Sequence, residues 1–239
     1  EHIDLVVIRE NSEGEYVDNG GRFRRDTSQD VAIQTAIHTR HGIERILRFG
    51  FEFARTRRNH LTMITKSNAQ RYSFVLWDEI LDQIKDEYPD VETARQHCDA
   101  AVMNFVRCPE AFDVVVASNL FGDLLTDLGG IIGGGLGLAP SCNLDPSGQS
   151  PSMFEPVHGS APDIMGKGIA NPMAQILTGA LMAKHLGEKS VAQEIEASVE
   201  YVLSKGETTT NDLGGNSSTS EVGDAIVKAL GKNKRSTPF

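Results

Sequence analysis

Short apolar runs separated by longer amphipathic stretches give the first picture of this chain. Runs of strand length fall at 5–8, 31–37, 61–65 and 112–117. The last of them, FDVVVA, is rich in β-branched residues and shows little polar alternation, as expected of a strand buried on both faces. Between these runs the period lengthens. Within 39–57, Ile43, Ile46, Leu47, Phe51 and Ala54 recur at helical spacing behind Thr39, a suitable N-cap. Within 72–88 a second stripe of Trp77, Ile80, Leu81 and Ile84 is closed by Pro89. The pattern predicts further helices at 99–106, 120–128, 172–186, 190–203 and 219–230. Strands alternating with helices predict an α/β fold.

Two stretches break the alternation. Residues 10–30 are polar, punctuated by glycine, and carry Arg22, Arg24 and Arg25. An excursion of this length reads as a functional loop or an arm onto a neighbouring subunit, and equally as a solvated surface loop. The second is the glycine series Gly129, Gly130 and Gly133 to Gly135, whose freedom at positive φ suits a crossover between domains. The predicted partition is a small domain at 1–133 and part of a larger one at 134–239, with a frayed tail at 232–239. The chain opens at Glu1 straight into the first strand pattern, without methionine. This reads as the carboxyl-terminal part of something longer, or as a processed product.

Composition narrows the partners. A formal net charge of −10 argues against nucleic acid and anionic membranes, which need basic surface. It does not weigh against a small anionic substrate held by a few local arginines. Cys98, Cys108 and Cys142 are too scattered for a disulfide framework or a metal motif. They fit a reducing compartment, the cytoplasm or a mitochondrial matrix. No apolar run approaches the ~20 residues of a membrane span.

Candidate chemistry gathers in a few places. Asp123 and Asp127 stand four apart in a helical stretch, so both carboxylates share a face and can hold one hard divalent cation with water. A solvated surface pair is the plain alternative. Asp99 opens another helix and offers either a third carboxylate or a favourable charge at the helix N-terminus. In EPVHGSAPD (155–163), His158, Gly159, Ser160 and Ala161 let the backbone approach a ligand, and Asp163 offers an acceptor for ribose hydroxyls. Its charge would repel a 2′-phosphate and so favour NAD over NADP. An ordinary Gly/Pro loop is the alternative. Asn171-Pro172 then starts a helix. Lys66 follows a strand and could move a proton if its pKa is lowered. Arg9 could grip a carboxylate bidentately and Tyr16 could pass a proton.

Taken together, IRENSEGEY (8–16), TKSNA (65–69), FDVVVASNLFGDLLTDLGG (112–130) and MFEPVHGSAPDIMGKGIANP (153–172) resemble the metal-dependent, decarboxylating 2-hydroxyacid dehydrogenases of the isocitrate/isopropylmalate dehydrogenase family. The TKSN form, with RENSEGEY and ASNLFGD, is most similar to the tartrate/D-malate branch. The resemblance implies a two-domain α/β fold with an incomplete large domain, and oxidative decarboxylation of a small 2-hydroxy diacid with NAD and Mg²⁺ or Mn²⁺. It implies that Arg9 clamps the substrate carboxylate, Tyr16 protonates the enolate, and Lys66 assists deprotonation of the hydroxyl. Asn68 would lie near the nicotinamide. Asp123 and Asp127, with Asp99, would bind the cation. Glu155, His158, Gly159, Ser160, Ala161, Asp163 and Asn171 would line the NAD pocket. It further implies a homodimer in which Lys66 and Asp99 serve the partner's site, with the 10–30 excursion as the intersubunit arm. Isopropylmalate or isocitrate as substrate is the alternative within the family; a non-catalytic, truncated paralogue is the alternative outside it. The family pattern opens with a glycine-rich GDGIGPE segment and an amino-terminal third that have no counterpart in these residues. The main determinants of substrate choice lie there.

Overall fold

The computed structural model describes residues 3–233. Its chain separates into two compact units, Glu1–Gly129 and Gly130–Phe239. The division falls inside a helix, ahead of the Gly133 to Gly135 run where the sequence placed it.

The first unit is built on a four-stranded parallel sheet in the order β1-β6-β4-β5, with β1 at Val6–Arg9, β4 at His60–Thr65, β5 at Glu92–His97 and β6 at Val114–Ala117. Val114, Val115, Val116 and Ala117 are all fully buried, which is why β6 is apolar at every position rather than at alternate ones. Helix α1 (Arg40–Arg55) begins at Thr39, whose hydroxyl accepts the Gly42 amide at 3.0 Å. It lies tightly on the sheet. A Cβ on Gly50 would stand 2.5 Å from Val116 Cγ2, so that position must be glycine for the helix to approach this closely. Helix α2 (Ser73–Ile84) buries Trp77, Ile80, Leu81 and Ile84, as its stripe predicts, together with Phe74. Helices α3 (Cys98–Arg107) and α4 (Asn119–Ile132) follow β5 and β6. At the amino end of the sheet the buried Asp113 carboxylate takes Arg57 Nε at 2.7 Å and the Arg58 amide at 2.9 Å.

Two strand assignments differ from the sequence pattern. The run 31–37 forms only a four-residue strand, β3 (Val31–Gln34), and does not enter the main sheet; it pairs antiparallel with β2 (Gly20–Phe23) inside the predicted arm. The apolar run is real, but its cross-strand partners Phe23 and Gly21 come from the adjacent polar segment, so it faces outward. Conversely, β5 reads ETARQH, a mostly polar edge strand without the apolar signal of its neighbours.

The second unit has a two-stranded antiparallel sheet, β7 (Pro140–Asn143) with β8 (Met153–Pro156), and helices α5 (Met173–His185), α6 (Lys189–Lys205) and α7 (Thr219–Asn233). Met173, Val199, Val202, Val222, Ile226 and Ala229 form its buried core. Helix α5 starts just after Asn171-Pro172, with Pro172 at the cap position and Asn171 Oδ1 accepting the Met173 amide at 3.0 Å. Most of the predicted tail lies outside the described residues.

Candidate active site

Parallel strands deliver their carboxyl ends to one edge of the sheet, and the loops leaving that edge carry the chemistry of most α/β proteins. Here β1 ends at Arg9, register partner of Ala117 at the end of β6, and α4 starts two residues later at Asn119. Arg9 Nη1 meets Asp123 Oδ1 at 2.7 Å, and Tyr16 donates its hydroxyl to Asp123 Oδ2 at 3.0 Å. The Arg9 guanidinium also lies 5.5 Å from the Tyr16 ring centre. Two residues singled out in the sequence, Arg9 and Tyr16, thus meet on the carboxylate of a third, Asp123. Hydrogen bonding to that carboxylate raises the Tyr16 pKa above its ordinary value, so the phenol holds its proton at neutral pH.

The glutamates between Arg9 and Tyr16 explain how a glycine-punctuated loop is held so firmly. Buried Glu10 accepts the Ser12 amide at 3.0 Å, the Glu13 amide at 2.8 Å and the Arg45 guanidinium. Glu13 accepts the Thr39 amide at 2.7 Å and its hydroxyl at 2.8 Å at the start of α1. Glu15 accepts Ser118 Oγ at 2.9 Å and the Leu120 amide at 3.1 Å, placing a negative charge where the α4 dipole is positive. Each carboxylate satisfies helix-start or loop amides that otherwise lack intrahelical partners. Behind them, the imidazole of His38 accepts the Trp77 indole N–H at Nδ1 (3.1 Å), leaving Nε2 4.0 Å from Glu15. Burial keeps its pKa low against the pull of Glu15.

A second group stands at the same sheet edge. Lys66, just past β4, donates Nζ to Asp99 Oδ1 at 2.7 Å, and Asp99 opens α3 after β5. That hydrogen bond lowers the Asp99 pKa. Asn68 is exposed in the turn between β4 and α2. Strand β6 lies between the β1 and β4 strands that carry the two groups. Asp127 is exposed one turn beyond Asp123 on α4. Among the described residues no three His, Cys, Asp or Glu side chains converge as a metal cluster. Asp99 is therefore not brought to Asp123 and Asp127 within one chain. Two hard carboxylates one helical turn apart, Asp127 exposed and Asp123 part-exposed, nevertheless suit Mg²⁺ or Mn²⁺, which keep several waters and need only one or two protein carboxylates.

In the second unit, the Glu155 carboxylate on β8 accepts Asn143 Nδ2 at 3.3 Å. His158 Nδ1–H donates to Gly159 O at 3.0 Å. Gly159, Ser160, Ala161 and Asp163 are exposed, and the space beside Gly159 is open where a Cβ would stand. Ala161 has φ +43°, a left-handed conformation costly for a non-glycine residue and frequent at ligand clamps. An open backbone loop with an exposed carboxylate fits a nucleotide. Asn171 accepts the Met173 amide at Oδ1 and donates Nδ2 to Asp212 Oδ2 at 3.0 Å, which holds its side chain beside the start of α5.

The isocitrate/isopropylmalate dehydrogenase family profile matches residues 1–226. This chain belongs to that family. It is 52% identical over 229 residues to a Bacillus subtilis protein described as a "probable tartrate dehydrogenase/decarboxylase", and 50% identical over 229 residues to 3-isopropylmalate dehydrogenase of Rhodococcus jostii. The crystal structure of isocitrate dehydrogenase from Methylococcus capsulatus superposes with a TM-score of 0.91 at 42% identity, covering 95% of this chain and 67% of that one. The alignments take in 96% and 95% of this chain but 64% and 66% of the two relatives, so the chain spans just under two thirds of their length. Sequence reasoning had named Arg9, Tyr16, Lys66, Asp99 and Asp123. It missed Asn119, Gly122 and the glutamates, although all lie inside the matched segments, because a buried Asn or Gly gives no signal until its partner is known.

Proposed function

We propose that the protein of which these residues are part is an NAD-dependent, Mg²⁺- or Mn²⁺-dependent dehydrogenase that oxidises and decarboxylates a small 2-hydroxy diacid, tartrate or D-malate. The observation that carries this reading is Asp123 held by Arg9 and Tyr16 at the carboxyl end of β1 and β6. Here Arg9 takes the substrate carboxylate at the end of its guanidinium that meets Asp123. Lys66 assists deprotonation of the substrate hydroxyl through water, and Tyr16 returns a proton to carbon after CO₂ leaves. Asp123 and Asp127 hold the cation, with Asp99 completing the set from a second chain. A bound divalent cation would supply electron withdrawal from the hydroxyl and the carbonyl derived from it. The loop through His158, Gly159, Ser160, Ala161 and Asp163, with Glu155, Asn171 and Asn68, serves NAD, the hydride acceptor.

The protein acts as a homodimer in the cytoplasm on this reading. Exposed Phe23, Val31 and Ile33 share one face of the β2–β3 arm, and Met103 and Val106 of α3 are likewise exposed. A small domain with its arm at about 10–30 and a nucleotide-holding portion follow the two units.

Isopropylmalate as substrate is the second reading, supported by the Rhodococcus jostii relative at nearly equal identity. Steady-state comparison of D-malate, tartrate, isopropylmalate and isocitrate with the native protein separates the two. D-malate or tartrate should give the highest kcat/KM; turnover confined to the branched or tricarboxylic acids would overturn the branch assignment. For the nucleotide, Asp163→Ala should erode preference for NAD over NADP by roughly tenfold, since one like charge beside a 2′-phosphate costs on the order of 1 kcal/mol. An unchanged ratio of kcat/KM values would take Asp163 out of the ribose site.

A further inference from the structure

Asn119 is buried at the first position of α4 and makes three hydrogen bonds. Its Oδ1 accepts Arg9 Nε at 3.0 Å and Arg9 Nη2 at 2.7 Å, while its Nδ2 donates to Glu13 O at 3.0 Å. One oxygen thus engages one edge of the guanidinium, and the amide that carries it is pinned by the loop that leads to Tyr16. The remaining contact, Nη1 to Asp123, is made on the other side of the plane's fork. The stem of Arg9 is seated as closely as its head. A Cβ on Gly122 would fall 2.6 Å from Arg9 Cγ and 2.8 Å from its Cβ, so the arginine lies directly on α4 where there is no side chain.

We propose that Asn119 is the positioning residue for Arg9, with Gly122 providing the bare helix surface on which the arginine lies. This deepens the dehydrogenase reading and rests on it. Arg9 carries donors on Nε, Nη1 and Nη2. With the Nε/Nη2 edge retained by Asn119, only the Nη1 contact has to change when a substrate carboxylate arrives. Arg9 then exchanges Asp123 for substrate without swinging, and Asp123 is freed toward Asp127 in the same step. The guanidinium is pre-organised, so little rotamer entropy is lost on binding. Asn119 itself never meets the substrate.

The test uses the native protein and two binding measurements alongside kinetics: Mn²⁺ alone, followed by electron paramagnetic resonance, and D-malate or tartrate in the presence of Mn²⁺, followed by calorimetry. Asn119→Ala should raise KM for the hydroxyacid and weaken its binding by tenfold or more. Its kcat at saturation should fall much less, and Mn²⁺ alone should bind within about twofold of wild type. A merely structural Asn119 predicts loss of all these quantities together with thermal stability. Should Asn119→Ala fail to fold, Gly122→Ala decides the question, because alanine favours the helix while its methyl displaces Arg9. It should give the same split between KM and kcat. Hydroxyacid affinity unchanged in either folded variant overturns the role of Asn119 and leaves the dehydrogenase reading standing. Wild-type protein that binds Mn²⁺ but none of D-malate, tartrate, isopropylmalate and isocitrate overturns both.

Discussion

Replacing Asp127 with asparagine is expected to abolish turnover while leaving the fold and NAD binding as they are. Asp127 is exposed on α4, so the substitution removes one charge and changes almost no packing. Asp123 is a less clean target, because its two oxygens hold Arg9 and Tyr16 and its loss would release both. A divalent ion held by carboxylates contributes several kcal/mol to stabilising charge that develops in the transition state, so losing half of this chain's ligand set should cost about a thousandfold or more in kcat. Manganese affinity should fall with it. Binding of NAD, which this reading gives to the loop after β8, should change little. Electron paramagnetic resonance titration with Mn²⁺ beside steady-state kinetics reports both quantities. Turnover within tenfold of wild type would remove the cation from Asp127.

The sheet of the first unit was legible because its central strand is a pure packing signal. Val114, Val115 and Val116 are buried on both faces and say so at every position. Edge strand β5 was not legible, since ETARQH is polar enough to pass for a loop. It becomes a strand because the edge of β4 turned away from β6 needs backbone partners, and the ladder from His60↔Glu92 to Thr65↔His97 supplies them. The run at 31–37 is the converse case: it reads as a strand and its first four residues form one, β3, but its apolar residues Val31 and Ile33 face outward. Burial is a property of the fold, and an apolar run alone does not tell an inward face from an outward one.

The site divides in the same way. Charged groups with a conspicuous spacing, Asp123 and Asp127 above all, could be named from residue type. What fixes them could not. Glu10, Glu13 and Glu15 look like a solvated acidic stretch, yet each carboxylate satisfies backbone amides at a loop or helix start. Their spacing is dictated by where the β1 loop passes α1 and α4, a long-range fact absent from local pattern. Asn119 and Gly122 are invisible for a related reason: their meaning lies in Arg9, more than a hundred residues earlier in the chain.

The two clusters at the sheet edge lead to the sharpest test of how the chains cooperate. Lys66 is paired with Asp99 at the ends of β4 and β5, while Arg9, Tyr16 and Asp123 stand at the ends of β1 and β6. If Lys66 serves the partner's site, Lys66→Met and Asp127→Asn each inactivate a homodimer, the first by ~10²–10⁴-fold through loss of proton transfer. A heterodimer carrying one substitution on each chain behaves differently. One of its two sites then combines the intact Lys66 of one chain with the intact Asp127 of the other, and the second site carries both defects. Tagging the two chains differently and purifying the heterodimer should therefore recover about half the turnover of the wild-type dimer, since a two-fold assembly has two equivalent sites. If Lys66 and Asp127 act within the same chain, the mixed dimer has no intact site and stays as inactive as its parents. The two outcomes differ by at least an order of magnitude, and neither depends on which hydroxyacid the protein prefers.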